Sequence, residues 1–495
     1  MPDKREFKKV LVANRGEIAV RILRSIKDMG LQSALLFHRV EIDSPSVKMA
    51  DEAFEVTGET PVAAYLDIPQ IVKICVENNI DAVHPGYGFL SENAAFVRAL
   101  DEAGICFIGP RPEAMTLMGD KIGSRNFVQE RGFPVAPSVI DEGDEEQLVS
   151  RILDIGFPMV IKASAGGGGK GMQIVRDEKS LREVLATARV EAQRYFGDPR
   201  VYAERYVENP RHIEVQVLGD EHGNCVHLWE RECSIQRRFQ KVVEETPSPA
   251  LDQKQRQDIC EVAVGIAKAV NYTGAGTIEF IYAPDGEFYF LEMNTRIQVE
   301  HPITEMVTGV DLVAEQIRIA QGLPLSLSQD EIKQEGHAIE CRICAEIPDE
   351  DFAPAAGKVL MLRPPVGPGR RFDSGAYEGQ KIGTAFDSMI AKLVVHAEDR
   401  PAAIQAALDA LNDFVILGVD TNADYCGRVL RHPAFASGDT NTSFIKEYQA
   451  DLQPRAVGEE LHAAALATAA LSDRQFVAMM DEIPYPYRLM KEWRN

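Results

Sequence analysis

Over the first 118 residues, short apolar runs alternate with amphipathic stretches. VLVA, inside KVLVAN (9–14), reads as a strand buried on both faces. Arg15-Gly16-Glu17 turns the chain into IAVRILRSIKDMG, whose apolar residues recur at intervals of three and four up to Gly30. That period predicts a helix with one buried face. LQSALLF from Leu31 predicts a second strand, residues 68–79 a second helix, IDAVH a third strand and CFIG (106–109) a fourth. Strands separated by helices indicate βαβ units on a parallel sheet, and ligands bind beyond the carboxyl ends of such strands. NRGE (14–17) and HPGYGFLSEN (84–93) stand at two of those ends. Neither is the GxGxxG dinucleotide fingerprint.

The pattern changes after residue 118. FPMVIK (157–162) and MQIV (172–175) read as strands, and between them lie Gly166, Gly167, Gly168 and Gly169. Four glycines in a row cost entropy to order and offer no side-chain packing. Close approach of backbone N–H groups to a phosphate is a reason to order them. Lys170 is followed by Gly171 and a strand, not by the helix of a Walker loop, so the segment predicts a hairpin folded over phosphates. Lys162 ends the preceding strand and Lys121 sits in MGDK; each is a candidate phosphate partner or an ordinary surface lysine.

IEFIY (278–282) and FYFLEM (288–293) alternate on either side of APDG, predicting an antiparallel hairpin. Glu279 and Glu292 then face each other on one side of it. Two apposed carboxylates repel, so a cation between them is favoured, and with the amide oxygen of Asn294 the donors suit Mg²⁺ or Mn²⁺. The plain alternative is two solvated strand glutamates. Arg296, Gln298, Glu300 and His301 follow as a dense polar run, suited to an anion that must lose a proton. Upstream, Glu204 precedes a strand containing His212, Glu214 and Gln216. Gln236, Arg237, Arg238 and Lys241 form the densest basic patch, either an anion site or a surface charge run.

Charge sharpens that last point. The 495 residues carry 53 Lys and Arg against 76 Asp and Glu, a net charge of -23, so a local cationic cluster is informative. The acidic balance argues against a nucleic-acid binder. No run of 18 apolar residues is present, which argues against a membrane span, and the start of the chain lacks a signal-peptide pattern. Eight scattered Cys give no disulfide framework, and a cytoplasmic, reducing location is expected. Cys341 and Cys344 form a lone CxxC on a predicted strand, where they point to opposite faces.

Beyond residue 330 the strands HAIECRICAE, KVLMLRPP and IAKLVVHAE surround one helical pattern, AAIQAALDALNDFVI (402–416). An α+β unit packed on the middle lobe is expected. HAAALATAALSDRQFVAMM (462–480) is compatible with a helix, and YPYRLMKEWRN ends the chain.

Taken together, LVANRGEIAVRILR, HPGYGFLSEN, FIGP, LMGDK, IKASAGGGGKGM, ENPRHIEVQVLGD, RECSIQRRFQKVVEE, GAGTIEF, EMNTRIQVEHPITEM, GVDL, HAIECRI and DSMIAKL resemble the biotin carboxylase component of biotin-dependent carboxylases, in the ATP-grasp family. The likeness runs from about Lys9 to residue 447. It implies an α/β and α+β architecture. A Rossmann-like N-terminal domain (1–118) precedes an ATP-grasp domain (119–330) with a mobile glycine-rich lid at about 135–208. A C-terminal α+β domain (331–447) and a helical tail (448–495) follow. Lys121, Lys162, Glu204, His212 and Gln236 would contact ATP, with the backbone of Tyr206 and Val207 and the side chain of Ile281 around adenine. Glu279 and Glu292 would bind Mg²⁺, with Asn294 close by. Lys241, Arg296, Gln298 and Val299 would hold bicarbonate, Glu300 would act as general base, and Arg342 would stabilise enolised biotin.

The resemblance also implies a homodimer working with a biotin carboxyl carrier protein and a carboxyltransferase subunit. Met-Lys-Met on a small β module is not found, since LMKE (489–492) lacks the second Met, so biotin is expected on a separate protein. An acetyl-CoA carboxylase is the leading parent enzyme, with pyruvate, 2-oxoglutarate or other acyl-CoA carboxylases as rivals. A catalytically silent scaffold is the reading from another class. Two departures stand out. Phe239 occupies a position where many relatives carry His, which predicts altered nucleotide contacts. HRVEIDSPS (38–46) replaces a familiar stretch and is expected to be a peripheral loop.

Overall fold

Five strands of the first lobe form a parallel sheet: β1 (Lys9–Val12), β2 (Gln32–His38), β3 (Glu52–Val56), β4 (Ala82–His84) and β5 (Cys106–Phe107), in the order β3-β2-β1-β4-β5. This is a computed structural model, and it describes residues 4–140, 145–163, 172–454 and 459–472. Residues Met1–Leu452 form one compact unit. The strand order reverses at β1 and β4, the switch point of a doubly wound sheet. There the Asn14 amide donates to the carbonyls of Pro85 and Tyr87, each at 2.7 Å, and locks the NRGE and HPGYG turns together. Gly86 sits at φ +63°, and a Cβ there would lie 2.9 Å from that amide, so a side chain is excluded twice over.

The loop expected to be peripheral exposes Val40 and Ile42 but is anchored at a buried residue. Glu41, within HRVEIDSPS, is buried and accepts hydrogen bonds from Arg15 at 2.6 Å and from the Tyr65 hydroxyl at 2.9 Å. A buried carboxylate needs such partners, and neither is visible from local sequence.

In the middle lobe, β6 (Ser138–Ile140), β7 (Met159–Ala163), β8 (Gln173–Val175) and β9 (Val201–Arg205) form an antiparallel sheet in the order β6-β9-β7-β8. The helices Glu145–Ile155 and Glu178–Phe196 bury Leu148, Ile152, Leu181 and Leu185 against it. Gly166, Gly167, Gly168 and Gly169, between β7 and β8, lie outside the described residues.

The site is built on a second, eight-stranded sheet. Its members are β10 (Arg211–Gly219), β11 (Cys225–Arg237), β12 (Gln240–Thr246), β13 (Gly274–Tyr282), β14 (Phe288–Asn294) and β15 (His337–Cys344). Three small antiparallel pairs follow in the C-terminal lobe: β16 (Glu346–Ile347) with β17 (Ala353–Pro354), β18 (Gly357–Lys358) with β21 (Lys381–Ile382), and β19 (Met361–Arg363) with β23 (Val415–Leu417). The last two members of the large sheet, β20 (Arg370–Ser374) and β22 (Met389–Ala397), complete the order β14-β13-β10-β11-β12-β15-β22-β20. The middle and C-terminal lobes therefore share one sheet through the β12–β15 ladder, where Glu244 lies opposite Glu340. That is closer union than the packing contact expected from the sequence.

Alternation decides what each face carries. On β10, Ile213, Val215 and Val217 turn toward the helix Gln253–Ala269, joining Ile259, Ala263 and Ile266 of that helix and Ile278 and Phe280 of β13 in one core. Full burial of each such side chain is worth about 1.5–3 kcal/mol. His212, Glu214 and Gln216 must then occupy the opposite face. The helix itself opens with a capping box at Asp252 and Gln255.

One expected element is shorter than its pattern. The helix over 402–416 runs as Arg400–Asp413, and Val415–Leu417 is β23. Phe414 is extended (φ -72°, ψ 125°), and the β-branched Val415 and Ile416 fit the strand that pairs with Met361–Arg363. The second compact unit, Gln453–Asn495, contains the helix Glu459–Ser472. The rest of the 462–480 pattern and YPYRLMKEWRN lie outside the described residues. All eight cysteines are free, and no helix among the described residues is long and apolar enough to cross a membrane.

Candidate active site

A polar row crosses the open face of the large sheet. In register, Glu292 of β14 lies opposite Glu279 of β13, Glu279 opposite Glu214 of β10, and Glu214 opposite Arg231 of β11. Asn294 Nδ2 and Gln298 Nε2 each donate to Glu279 Oε1 at 2.7 Å, and His212 Nε2 stands 3.1 Å from Glu279 Oε2. Arg231 is fully buried and acts as the central brace. It donates to Glu214 (2.7 Å), Gln216 (2.8 Å), Thr304 (3.0 Å), Thr277 (3.2 Å) and Gln298 (2.7 Å).

The turn after β14 brings the second group of residues. Arg296 donates to Glu92 at 3.0 Å and to the Asn294 amide oxygen at 2.9 Å. Glu300, almost fully buried, accepts hydrogen bonds from Lys241 of β12 and from Arg342 of β15, the latter at 2.9 Å. Lys241 also donates to Glu214 at 2.5 Å and lies 3.6 Å from Glu279. Arg342 donates to Glu244 at 2.5 Å. One carboxylate thus meets two cations at the junction of two lobes.

The nucleotide candidates divide into groups. Lys162 donates to Glu204 at 2.9 Å, and Arg125 stands 3.7 Å from the other oxygen of that carboxylate. Tyr206 and Val207 follow β9, with the Tyr206 N–H bonded to the Pro158 carbonyl. Ile281, half-buried, is in register with His212. Lys121, half-exposed, stands 3.8 Å from Glu292. Gln236 is paired in register with Lys241 on the β11–β12 hairpin.

The basic patch read from the sequence splits. Lys241 joins the site, whereas Arg237 and Arg238 both pair with Asp351, at 2.6 and 2.7 Å. Between β11 and β12, Arg238 (φ 50°) and Phe239 (φ 66°) form a two-residue turn with both residues left-handed, and the Phe239 ring is 65 % exposed. Side chains tolerate that conformation at a cost of order 1–3 kcal/mol each. Asp351, gripping both neighbouring arginines, offsets part of it.

Electrostatics differ along the row. Burial and Glu214 push the Glu300 carboxyl up, but Lys241, Arg342 and Arg231 outweigh them and hold it below its ordinary range. Burial opposes the charge on Lys241 and on Arg342, yet the surrounding acids raise both well above their ordinary values. Glu292 goes the other way: burial and then Glu279 raise it, with only Lys121 and His212 opposing. Burial would strip the proton from His212, but Glu279 and Glu214 raise it to about 9.

Hard oxygen donors from Glu279, Glu292 and Asn294, with two acids apposed and Lys121 alone near Glu292 among the described residues, fit Mg²⁺ or Mn²⁺. The sequence did not point to Arg231, Glu92, Glu244 or Lys392. Each is a charged residue in a strand or loop whose partner is remote in the chain, and a charge buried within an apolar strand, as in VVEE or IAKL, is the one available hint.

Family descriptions match in three consecutive stretches: the biotin carboxylase N-terminal domain over 6–115, the ATP-binding domain of the carbamoyl-phosphate synthase L chain over 120–328, and the biotin carboxylase C-terminal domain over 340–447. A biotin carboxylase of Nostoc sp. is 48% identical over 445 residues, 89% of this chain and 99% of that protein. A pyruvate carboxylase component of Methanothermobacter thermautotrophicus is 46% identical over 444 residues, covering 90% of each. The biotin carboxylase domain dimer of Hydrogenobacter thermophilus 2-oxoglutarate carboxylase, solved with MgADP, ADP and bicarbonate, matches with a TM-score of 0.85 and 44% identity, over 91% of this chain and 100% of that one. Fold and site together define an ATP-grasp enzyme, an ATP-dependent ligase with a Rossmann-like first domain and an α+β last one. The chain belongs to the biotin carboxylase family, and its activity is that of a biotin carboxylase.

Proposed function

We propose that the protein carboxylates biotin presented by a carrier protein, using ATP and bicarbonate, as the biotin carboxylase subunit of an acetyl-CoA carboxylase. Three lobes share the work: 1–118, 119–330 with its lid at about 135–208, and 331–447. The observation that carries the chemistry is Glu300, held between Lys241 and Arg342.

ATP enters with its phosphates toward Lys121, Lys162, His212 and Gln236. Its adenine lies beside Ile281 and the Tyr206–Val207 backbone. Glu204 orients Lys162 through their 2.9 Å contact. Glu279, Glu292 and Asn294 would hold Mg²⁺, which when bound would supply neutralising charge for the phosphates. Bicarbonate occupies the space framed by Lys241, Arg296, Gln298 and the Val299 backbone. Glu300, ionised at neutral pH, takes the bicarbonate proton. The resulting oxygen nucleophile attacks the γ-phosphorus, the bond to ADP breaks, and carboxyphosphate forms. Its C–O bond to phosphate then breaks to give CO₂ and phosphate. Phosphate removes the proton from N1′ of biotin, the Arg342 guanidinium holds the negative charge on the ureido oxygen, and N1′ attacks CO₂.

Free cysteines suit a cytoplasmic setting, and a homodimer is in keeping with the dimer of the Hydrogenobacter relative. The test is ATP cleavage with Mg²⁺ and free biotin, which should rise on adding bicarbonate; cleavage indifferent to bicarbonate sinks the reading. Transfer of labelled carboxyl to acetyl-CoA, pyruvate or 2-oxoglutarate, with candidate carrier and transferase proteins, then selects the parent enzyme. Acetyl-CoA is the expected acceptor, and exclusive labelling of either keto acid would replace that assignment.

A further inference from the structure

Three segments singled out in the sequence, NRGE, HPGYG and DSMIAKL, meet behind the Arg296–Glu300 turn. Lys392 of β22 is fully buried, with no side-chain exposure. Its ammonium donates to the Val299 carbonyl at 2.8 Å and stands 3.1 Å from Glu17 Oε2. Glu17, in the first turn of the helix Gly16–Asp28, is itself buried, and its other oxygen accepts a hydrogen bond from the Tyr87 hydroxyl. The Tyr87 carbonyl is in turn held by Asn14 at 2.7 Å. A lysine of the C-terminal lobe, a glutamate and a partly buried tyrosine of the first lobe and a backbone carbonyl of the middle lobe thus form one connected chain.

The approach of the lobes here is close. A Cβ on Gly375, just past β20, would fall 2.6–2.9 Å from the backbone of Gly16 and Glu17, so that contact is backbone on backbone. Lys392 lies in register between Arg342 on one side and Asp373 on the other. Burying an ammonium is expensive unless every donor is directed, and a hydrogen bond in which one partner is charged is stronger than a neutral one. Here one donor is spent on a main-chain oxygen rather than on a second acid. That oxygen belongs to the peptide that joins Val299 to Glu300, between the backbone framing bicarbonate and the carboxylate that deprotonates it.

We infer that Lys392 is a positioning residue for the bicarbonate step: with Glu17 as its counter-charge, it fixes the Val299–Glu300 peptide and thereby the orientation of Glu300 between Lys241 and Arg342. The inference rests on the reading of Val299 and Glu300 as bicarbonate residues. Bicarbonate-stimulated ATP cleavage by the unaltered enzyme tests that reading separately. Given such activity, Lys392→Met removes the donor while keeping the bulk of the stem. The expected result is a bicarbonate KM raised roughly tenfold, with the ATP KM unchanged, as loss of one charge-assisted hydrogen bond predicts. Glu17→Gln keeps the shape and an acceptor but removes the charge, and should raise the bicarbonate KM by a smaller factor in the same selective way. Lys392→Arg should leave the Met defect only partly restored, because the planar guanidinium cannot reproduce the compact ammonium. A bicarbonate KM that moves only in step with the ATP KM, or a fall in thermal stability with both unchanged, overturns the proposal. If Lys392→Met does not fold, Glu17→Gln decides alone, and an unchanged bicarbonate KM in that variant rejects it.

Discussion

The two ends of the polar row solve the problem of burying carboxylates in opposite ways. At the β12–β15 end, Glu214, Glu300 and Glu244 each have a protein cation within 2.9 Å: Lys241 and Arg231 on Glu214, Lys241 and Arg342 on Glu300, and Arg342 on Glu244. At the β13–β14 end the protein cations stand farther off: Glu279 leans on amides, with His212 at 3.1 Å and Lys241 at 3.6 Å, and Glu292 has Lys121 at 3.8 Å. One end is neutralised by the chain itself, which suits fixed geometry around a small anion and a moving proton. The other leaves Glu292 with its protein cation at 3.8 Å and room for a cation from solution, which suits a site that fills and empties with each nucleotide.

On this contrast, the severest loss is expected from removing the proposed base at the self-neutralised end. Glu300→Gln keeps the shape and one acceptor but cannot take a proton. General-base catalysis is worth roughly 10²–10⁴-fold, so kcat for bicarbonate-dependent ATP cleavage should fall by that range while the Mg²⁺ dependence stays as it was. A variant with kcat near wild type would show that the proton leaves by another route, and the contrast would lose its catalytic half.

Next in size is Arg231→Met. Its five hydrogen bonds join Glu214, Gln216, Thr277, Gln298 and Thr304, all buried. Taking away one partner of a buried ion pair costs about 3–5 kcal/mol, because the remaining charge stays unsolvated. Denaturant unfolding should show that loss, and a much smaller one would mean that Lys241 alone suffices for Glu214.

Legibility in the sequence follows the same division. The facing pair Glu279 and Glu292 could be read directly, because a hairpin with a short turn fixes register and period-2 alternation fixes the face. The parallel sheet of the first lobe was readable from its local apolar runs, except β3, whose EAFEV is broken by two acids and has no period in a segment too short to distinguish from a loop. Arg231 was not readable as the brace, since it lies 67 residues from Gln298 and 73 from Thr304, and nothing local selects those partners. The anchoring of Glu41 was unreadable likewise: a polar loop gave no sign that Arg15 and Tyr65 would close over its carboxylate. Arg342 emerged only from likeness to a family, because one arginine in ECRIC carries no pattern of its own.

A milder effect is expected at the open end. Glu292→Gln removes a charge that burial and Glu279 already push toward neutrality. It should raise the Mg²⁺ concentration for half-maximal activity roughly tenfold, corresponding to ~1.4 kcal/mol of cation binding. Saturating Mg²⁺ should recover most of the rate. The same titration with Glu300→Gln should show no Mg²⁺ rescue, and rescue there would erase the distinction between the two ends.

The smallest effect tests whether the self-neutralised end is fully balanced. Glu244 is buried, with one oxygen on Arg342 and the other without a hydrogen-bond partner, and Glu340 opposite it on β15 is buried with neither oxygen bonded. Burial, only partly opposed by Arg342, raises the Glu244 carboxyl to about 7. Its ionised form is therefore disfavoured in the fold relative to a free chain, so this group weakens folding as pH rises from the ordinary carboxylate range through 7. Below 7 it carries a proton, about ten to one at pH 6, and its hold on Arg342 weakens. Arg342 then bears more fully on Glu300, which makes that carboxylate a poorer base. The bicarbonate-dependent rate should therefore bend downward below about pH 7, and Glu244→Gln, neutral at every pH, should lose that bend while matching the low-pH rate of the unaltered enzyme. A bend that survives the substitution would assign the titration to a different group and leave the cation balance around Glu300 independent of Glu244.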